Sequence, residues 1–230
     1  MTETISLIRP SGAPSPKRGR ETEIFSGLRQ AGFVEVLEGA GFPAAFAGLL
    51  QALDDSAGGG VGGDDGDIGE KRRAADVLAK LRAETKAVLS VDLQEHYRLA
   101  AQVAPFVDKV RYNPGHLHHH EKTKSIEDKV AFLIDVAAKH GCAVRIGINA
   151  GSIAPAYDER FPNDHVSAIV ACAVDHCAIV DRLGFTNYLV SIKDSDPRLV
   201  IDANVRFAAE RPDVPIHLGV TEAGMPPEGI

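Results

Sequence analysis

After residue 68 the apolar positions of the chain switch between two periods. Short β-branched runs at 87–93, 107–112, 143–148, 188–192 and 215–220 predict strands. Stretches at 70–83, 95–103, 126–140, 165–183 and 197–210 carry helical spacing instead; in the third of these, Val130, Leu133, Ile134 and Ala137 fall on one face. Gly141 stands where a helix-ending glycine belongs, and Gly184 repeats the pattern one unit later. Strands alternating with long helices imply parallel β-structure with right-handed crossovers. No G-x-G-x-x-G follows an early strand, which favours a barrel over a dinucleotide-binding sheet. The expected fold is α/β: a TIM-type (β/α)8 barrel, incomplete, with about five clear βα units.

The first 68 residues read differently. One or two helices are expected around 24–28 and 44–53, within an otherwise irregular, partly disordered region. The run Gly58-Gly59-Gly60-Val61-Gly62-Gly63-Asp64-Asp65-Gly66-Asp67 cannot bury apolar area and reads as a flexible linker. A phosphate-cradling loop would need a preceding strand, and Asp64, Asp65 and Asp67 would repel the phosphate. The expected division is therefore 1–68 and a barrel domain at 69–230. Pro10, Pro14, Pro16 and the Lys17-Arg18-Gly19-Arg20 cluster make the start a solvated tail without the apolar core of a signal peptide.

Composition narrows the function classes. Hydrophobic residues are 44% and charged residues 25% of 230, as in soluble globular proteins. A net charge of −7 argues against nucleic-acid binding, though it leaves room for a local basic pocket. No apolar stretch approaches the roughly 20 residues that span a bilayer. The expected location is the cytoplasm, with no membrane partner. The three cysteines, Cys142, Cys172 and Cys177, do not make a disulfide framework. Cys172 and Cys177 lie in a helical, apolar setting and read as buried inert thiols. His116, His118, His119 and His120 are expected in a loop; without a second spaced ligand motif they read as structural or solvent-facing rather than metal-binding. A substrate contact from His116 and its neighbours stays open.

In a (β/α)8 barrel the chemistry sits at the C-terminal ends of the strands. Each predicted strand here leads into polar residues: Asp92; Arg111 and Asn113; Arg145, Asn149 and Ser152; Lys193; His217, Thr221 and Glu222. Three cations at one rim suggest an anionic ligand, with the arginines forking onto phosphate oxygens and the lysine acting as a point charge. The alternative is that they pair with Asp92, Asp194, Asp196 and Glu222 and only close the barrel.

Four segments then carry a resemblance: RYNPGH (111–116), RIGINAGS (145–152), VSIKDSD (190–196) and HLGVTEAGM (217–225). In order and spacing they resemble the successive strand motifs of the 4-hydroxy-3-methylbut-2-enyl diphosphate synthase family (IspG, also called GcpE). The resemblance covers 86–230, and weakly 69–85. It implies reductive ring opening of 2-C-methyl-D-erythritol 2,4-cyclodiphosphate in the methylerythritol phosphate route to isoprenoids. It further implies a 4Fe–4S cluster, ferredoxin or flavodoxin as electron donor, and a homodimer. By resemblance Arg111, Arg145 and Lys193 clamp the cyclic diphosphate. Asn113, Asn149 and Ser152 orient it, Asp92, His217 and Thr221 line the pocket, and Glu222 is the catalytic group facing the carbon skeleton.

The chain departs from that family in three places. Gln94 stands where a histidine is common. The early strands with Gln-Ser-Met and Val-Arg segments are not recognisable. The chain stops at Ile230, so the final βα unit and the domain whose three cysteines and a glutamate hold the cluster are expected to be missing. The leading expectation is a truncated or divergent synthase barrel, inactive by itself. Its rivals are a non-redox cyclodiphosphate-binding barrel and a metal-dependent hydrolase using the histidine loop.

Overall fold

The structure, a computed structural model, describes residues 34–37, 75–76, 78–93 and 96–219. The expected helices at 24–28 and 44–53, the glycine linker, Gln94, Thr221 and Glu222 lie outside the described residues. The chain forms two compact units, residues 1–92 with 99–109 and residues 93–98 with 110–230.

In the first unit β1 (Val34–Leu37) pairs antiparallel with β2 (Val88–Asp92), Val34 opposite Val91 and Leu37 opposite Val88. No strand was expected between residues 22 and 54. Four residues of V-E-V-L are too short for their alternation to stand out. Residues 78–84 are helical. Arg82 ties that helix to the strand: Nε donates to Phe106 O at 2.9 Å, Nη1 donates to Ala87 O at 3.0 Å, and Nη2 pairs with Asp108. Asp108 also accepts from the Leu89 amide at 2.7 Å. The single helix expected at 95–103 is broken into a 3-10 turn (Tyr97–Leu99), a helical turn (Ala100–Val103) and another 3-10 turn (Ala104–Phe106). Pro105 sits at the start of the last of these, where it cannot supply an amide hydrogen to continue the helix.

The second unit carries β3 (Lys109–Tyr112) from Val110 onward, β4 (Ala143–Asn149) and β5 (Tyr188–Lys193), in that order across the sheet. Strands β4 and β5 are parallel, with Val144 opposite Tyr188, Gly147 opposite Ser191 and Asn149 opposite Lys193. The strand expected at 215–220 is reduced, among the described residues, to one parallel bridge, Val190 with Ile216. There the Val190 amide donates to Pro215 O at 3.0 Å and the His217 amide to Val190 O at 2.8 Å.

Among the described residues of this unit five helices follow the strands: α1 (Pro114–His119), α2 (Ile126–His140), α3 (Pro155–Arg160), α4 (His165–Arg182) and α5 (Pro197–Glu210). Helix α2 begins where Ser125 Oγ accepts from the Asp128 amide at 3.0 Å and ends at Gly141, whose φ of 70° is left-handed. Val130, Leu133, Ile134 and Ala137 are its buried stripe, as the spacing predicts. Helix α4 is buried on a wider arc, from Val166 to Val180, because it packs against α2, α5 and both neighbouring strands. The histidines expected in a loop lie instead on α1 and its C-cap. Asn113 caps that helix through Gly115, and Pro114 at the first position suits helical φ.

Candidate anion-binding face

Alternation along the strands gives the sheet two chemically distinct faces. On one, Tyr112 hydrogen bonds His176 of α4 at 3.2 Å and Tyr188 donates to Asp181 of α4 at 2.7 Å. By register Val144, Ile146 and Ile148 share that helix-covered face. The opposite face therefore bears Lys109 and Arg111 from β3, Arg145, Gly147 and Asn149 from β4, and Leu189, Ser191 and Lys193 from β5. The interior of a (β/α)8 barrel is ordinarily filled by branched apolar side chains. Here that face carries guanidinium and ammonium groups, with Arg111 8% and Arg145 5% exposed.

Arg111 reaches across to β4, its Nη2 donating to Gly147 O at 3.0 Å and to Asn149 Oδ1 at 3.1 Å. It passes over Gly147 so closely that a Cβ there would be 1.9 Å from Arg111 Nε. Lys193, opposite Asn149, likewise runs beside a glycine: a Cβ on Gly219 would be 3.1 Å from Lys193 Cε. Asn113, 1% exposed, uses Oδ1 to accept from the Gly115 amide at 2.9 Å and Nδ2 to donate to Ser152 Oγ at 3.0 Å. Ser152 Oγ in turn donates to Asn149 O at 3.1 Å. Arg111, Asn113, Asn149 and Ser152 thus form one connected network at the C-terminal ends of β3 and β4, with Lys193 beside it in register.

Arg145 differs from its expected place. It lies near the start of β4, two pleats before Asn149, and not at the strand's C-terminal end. Its Nη1 lies 3.4 Å from both ring nitrogens of His217, so Arg145 and His217 are brought together deeper along the same face. Asp92 ends β2 in the other unit and is half-buried. Two of the acidic residues considered as barrel-closing partners have local tasks. Asp194 Oδ1 accepts from the Asp196 amide at 2.9 Å, and its Oδ2 lies 3.7 Å from His165; Asp196 caps α5 through the Arg198 amide at 2.8 Å. Lys109, 6% exposed, was missed as a further inward cation; its spacing of two from Arg111 was the available signal.

The cysteines and histidines lie in separate settings. Burial pushes the Cys172 and Cys177 thiols up to about 12, as their apolar helical setting predicts. These residues do not fit a 4Fe–4S cluster, which needs about four convergent ligands. His118 and His119 stand edge to face with ring centroids 5.2 Å apart, and burial holds His118 below the usual histidine range. Among the described residues no three His, Cys, Asp or Glu converge on a point that could hold a metal ion. Among them, too, no helix is long and apolar enough to cross a membrane.

Parallel strands followed by helices, with cations gathered on one sheet face, define a segment of a (β/α)-barrel. The family model of the GcpE TIM-barrel domain matches residues 69–230, and the chain belongs to that family. It is 55% identical over 157 residues, 68% of this chain, to a protein of Rhodopirellula baltica named 4-hydroxy-3-methylbut-2-en-1-yl diphosphate synthase (flavodoxin). Proteins of the same name from Exiguobacterium sp. and Chromohalobacter salexigens are 35% and 36% identical over 153 and 152 residues, each 66% of this chain. The chain spans about two-fifths of these relatives, 41%, 39% and 39% of their respective lengths.

Proposed function

We propose that this chain supplies the substrate-binding barrel of a 4-hydroxy-3-methylbut-2-enyl diphosphate synthase, with 2-C-methyl-D-erythritol 2,4-cyclodiphosphate as ligand. The observation that carries this reading is the pair of buried arginines, Arg111 and Arg145, on one face of a barrel sheet with Lys193 beside Asn149. A buried guanidinium is costly to desolvate, and a diphosphate offsets that cost through several charge-assisted hydrogen bonds. In this reading Arg111, Arg145 and Lys193 hold the diphosphate oxygens. Asn149 and Ser152 orient the ligand, Asn113 fixes Ser152, His217 steadies Arg145, and Thr221 completes the pocket. Glu222 serves as the proton-managing catalytic group. The barrel portion begins at residue 69, and the working enzyme is a cytoplasmic homodimer taking electrons from flavodoxin or ferredoxin.

Reductive ring opening needs a redox centre, which the family resemblance supplies as a 4Fe–4S cluster. The three cysteines here fall short of the roughly four convergent ligands such a cluster takes, so in this reading turnover draws its ligands from elsewhere. That same observation favours a second reading, a barrel that binds the cyclodiphosphate without redox chemistry. Calorimetric titration of the full chain with the cyclodiphosphate tests what the two readings share. Binding by the parent and its loss in Arg111→Ala support them; a parent that takes up no cyclodiphosphate sinks both. Iron and sulfide analysis of anaerobically purified protein separates them, and stoichiometric zinc instead would favour a hydrolase.

A further inference from the structure

Helix α1 is fixed at both ends. At its start Asn113 holds Gly115 and Ser152, and Gly115 packs so tightly that a Cβ would fall 1.6 Å from Ser152 O. At its other end Lys129, from the first turn of α2, is 1% exposed. Its Nζ donates to Leu117 O at 2.6 Å and to His120 O. These are carbonyls at the C-terminal end of α1, where the helix presents unpaired acceptors and favours a cation. The next residue, Glu121, takes a left-handed φ of 48° and is held by the Tyr97 hydroxyl and by Arg98 Nη2 at 2.7 Å.

A lysine is an expensive choice for a buried position. An ammonium loses hydration there, and hydrophobic residues fill such sites at less cost. What the lysine adds is direction: three donors on a point, two of them spent on the last carbonyls of a helix only six residues long. So short a helix has little cooperativity of its own and keeps its place through its ends. Its N-terminal end is Asn113, one bond from Ser152 and two from Asn149, which accepts from Arg111.

We propose that Lys129 is a positioning residue for the anion-binding face: by anchoring the C-terminal carbonyls of α1 it sets the Asn113–Ser152–Asn149–Arg111 network at the ends of β3 and β4. The inference rests on the reading of that face as a diphosphate site and adds a residue remote from the ligand. It acts through Asn113 and makes no ligand contact of its own.

Calorimetric titration with the cyclodiphosphate, on the full chain, tests it. Lys129→Met should weaken binding on the order of tenfold, the scale of a small misplacement of binding groups. Lys129→Arg, which keeps donors for both carbonyls, should restore most of it. In an Asn113→Ala background Lys129→Met should cost little more, because the path is already cut. That non-additivity is what a purely stabilising lysine would not produce. Should Lys129→Met fail to fold, Lys129→Gln, which keeps a donor for one carbonyl, replaces it under the same criteria. A folded variant that binds like the parent, full additivity with Asn113→Ala, or failure of both variants to fold overturns the proposal. A parent that binds no diphosphate removes instead the reading beneath it, a result distinguishable from an unaffected variant.

Discussion

Arg111 occupies the space that a side chain at residue 147 would fill, so Gly147 and the guanidinium are one structural unit. A Cβ on Gly147 would meet Nε at 1.9 Å, Cζ at 2.7 Å and Cδ at 2.9 Å. Gly147→Ala should therefore eject Arg111 from its bonds to Gly147 O and Asn149 Oδ1 and cost about 1–3 kcal/mol of stability. Cyclodiphosphate affinity should fall as far as in Arg111→Ala. Urea denaturation and calorimetry on the two variants check both parts. An alanine variant that binds like the parent would mean that Arg111 has another way to reach the ligand.

Gly115 makes the same kind of demand against backbone. Its missing Cβ leaves room for Ser152 O, and neither a carbonyl nor a capped helix start can turn aside as a side chain can. Gly115→Ala is expected to destabilise the chain by about 3 kcal/mol, the upper end of ordinary overpacking costs. Gly151→Ala serves as the control, since among the described residues nothing beyond its chain neighbours lies within 4 Å of its Cβ position. Equal urea midpoints for the two variants would contradict this close approach.

Much of this architecture was legible in the chain, and the reasons are local. Helices α2 and α5 match their expected limits because both carry side-chain or glycine signals at their ends: Ser125 and Gly141 for one, Asp196 and Pro197 for the other. Helix α1 was hidden because Pro-Gly followed by a histidine-rich run looks like a loop. Its true signal was Asn113 directly before Pro114, a cap followed by a favoured first residue. Arg145 was legible as a cation, and the strand expected at 143–148 already put it near the start of β4, so its depth was available and was not used. The pairing of Arg111 with Gly147 was out of reach, because it depends on which strands lie side by side.

His176 makes stability pH-dependent. It lies 4% exposed on α4 with Nδ1 3.2 Å from the Tyr112 hydroxyl, and burial alone pushes its imidazole down to about 4. The unfolded chain takes up this proton near pH 6.5, whereas the folded chain resists it until about pH 4. Between those values the unfolded state binds more protons, so stability falls as pH is lowered from 6.5 toward 4 and this group adds nothing further below that. The full effect is on the order of 3 kcal/mol. His176→Asn, which keeps a polar group near Nδ1, should flatten this part of the profile. Chemical denaturation across that pH range decides it, and an unchanged slope would assign the acid sensitivity to other groups.

The last prediction concerns the ligand face itself. A cyclic diphosphate offers oxygens in pairs, which a guanidinium meets with two parallel donors and an ammonium with one at a time. Each charge-assisted bond in a partly dry site contributes about 1.5–3 kcal/mol, so Arg145→Ala should weaken binding roughly tenfold to a hundredfold. Arg145→Lys should recover only part, because charge returns without the fork. Lys193 is more exposed than Arg145. Lys193→Ala should therefore cost less, and the Lys193 contribution should fade faster as salt rises. Glu222→Gln should leave affinity intact or raise it, since it removes a negative charge, while abolishing turnover wherever a redox centre is supplied. Titration of the four variants at two ionic strengths distinguishes these roles. Parent-like affinity in Arg145→Ala would make the buried cations barrel-closing ion pairs, and the face would then have no claim to an anionic ligand.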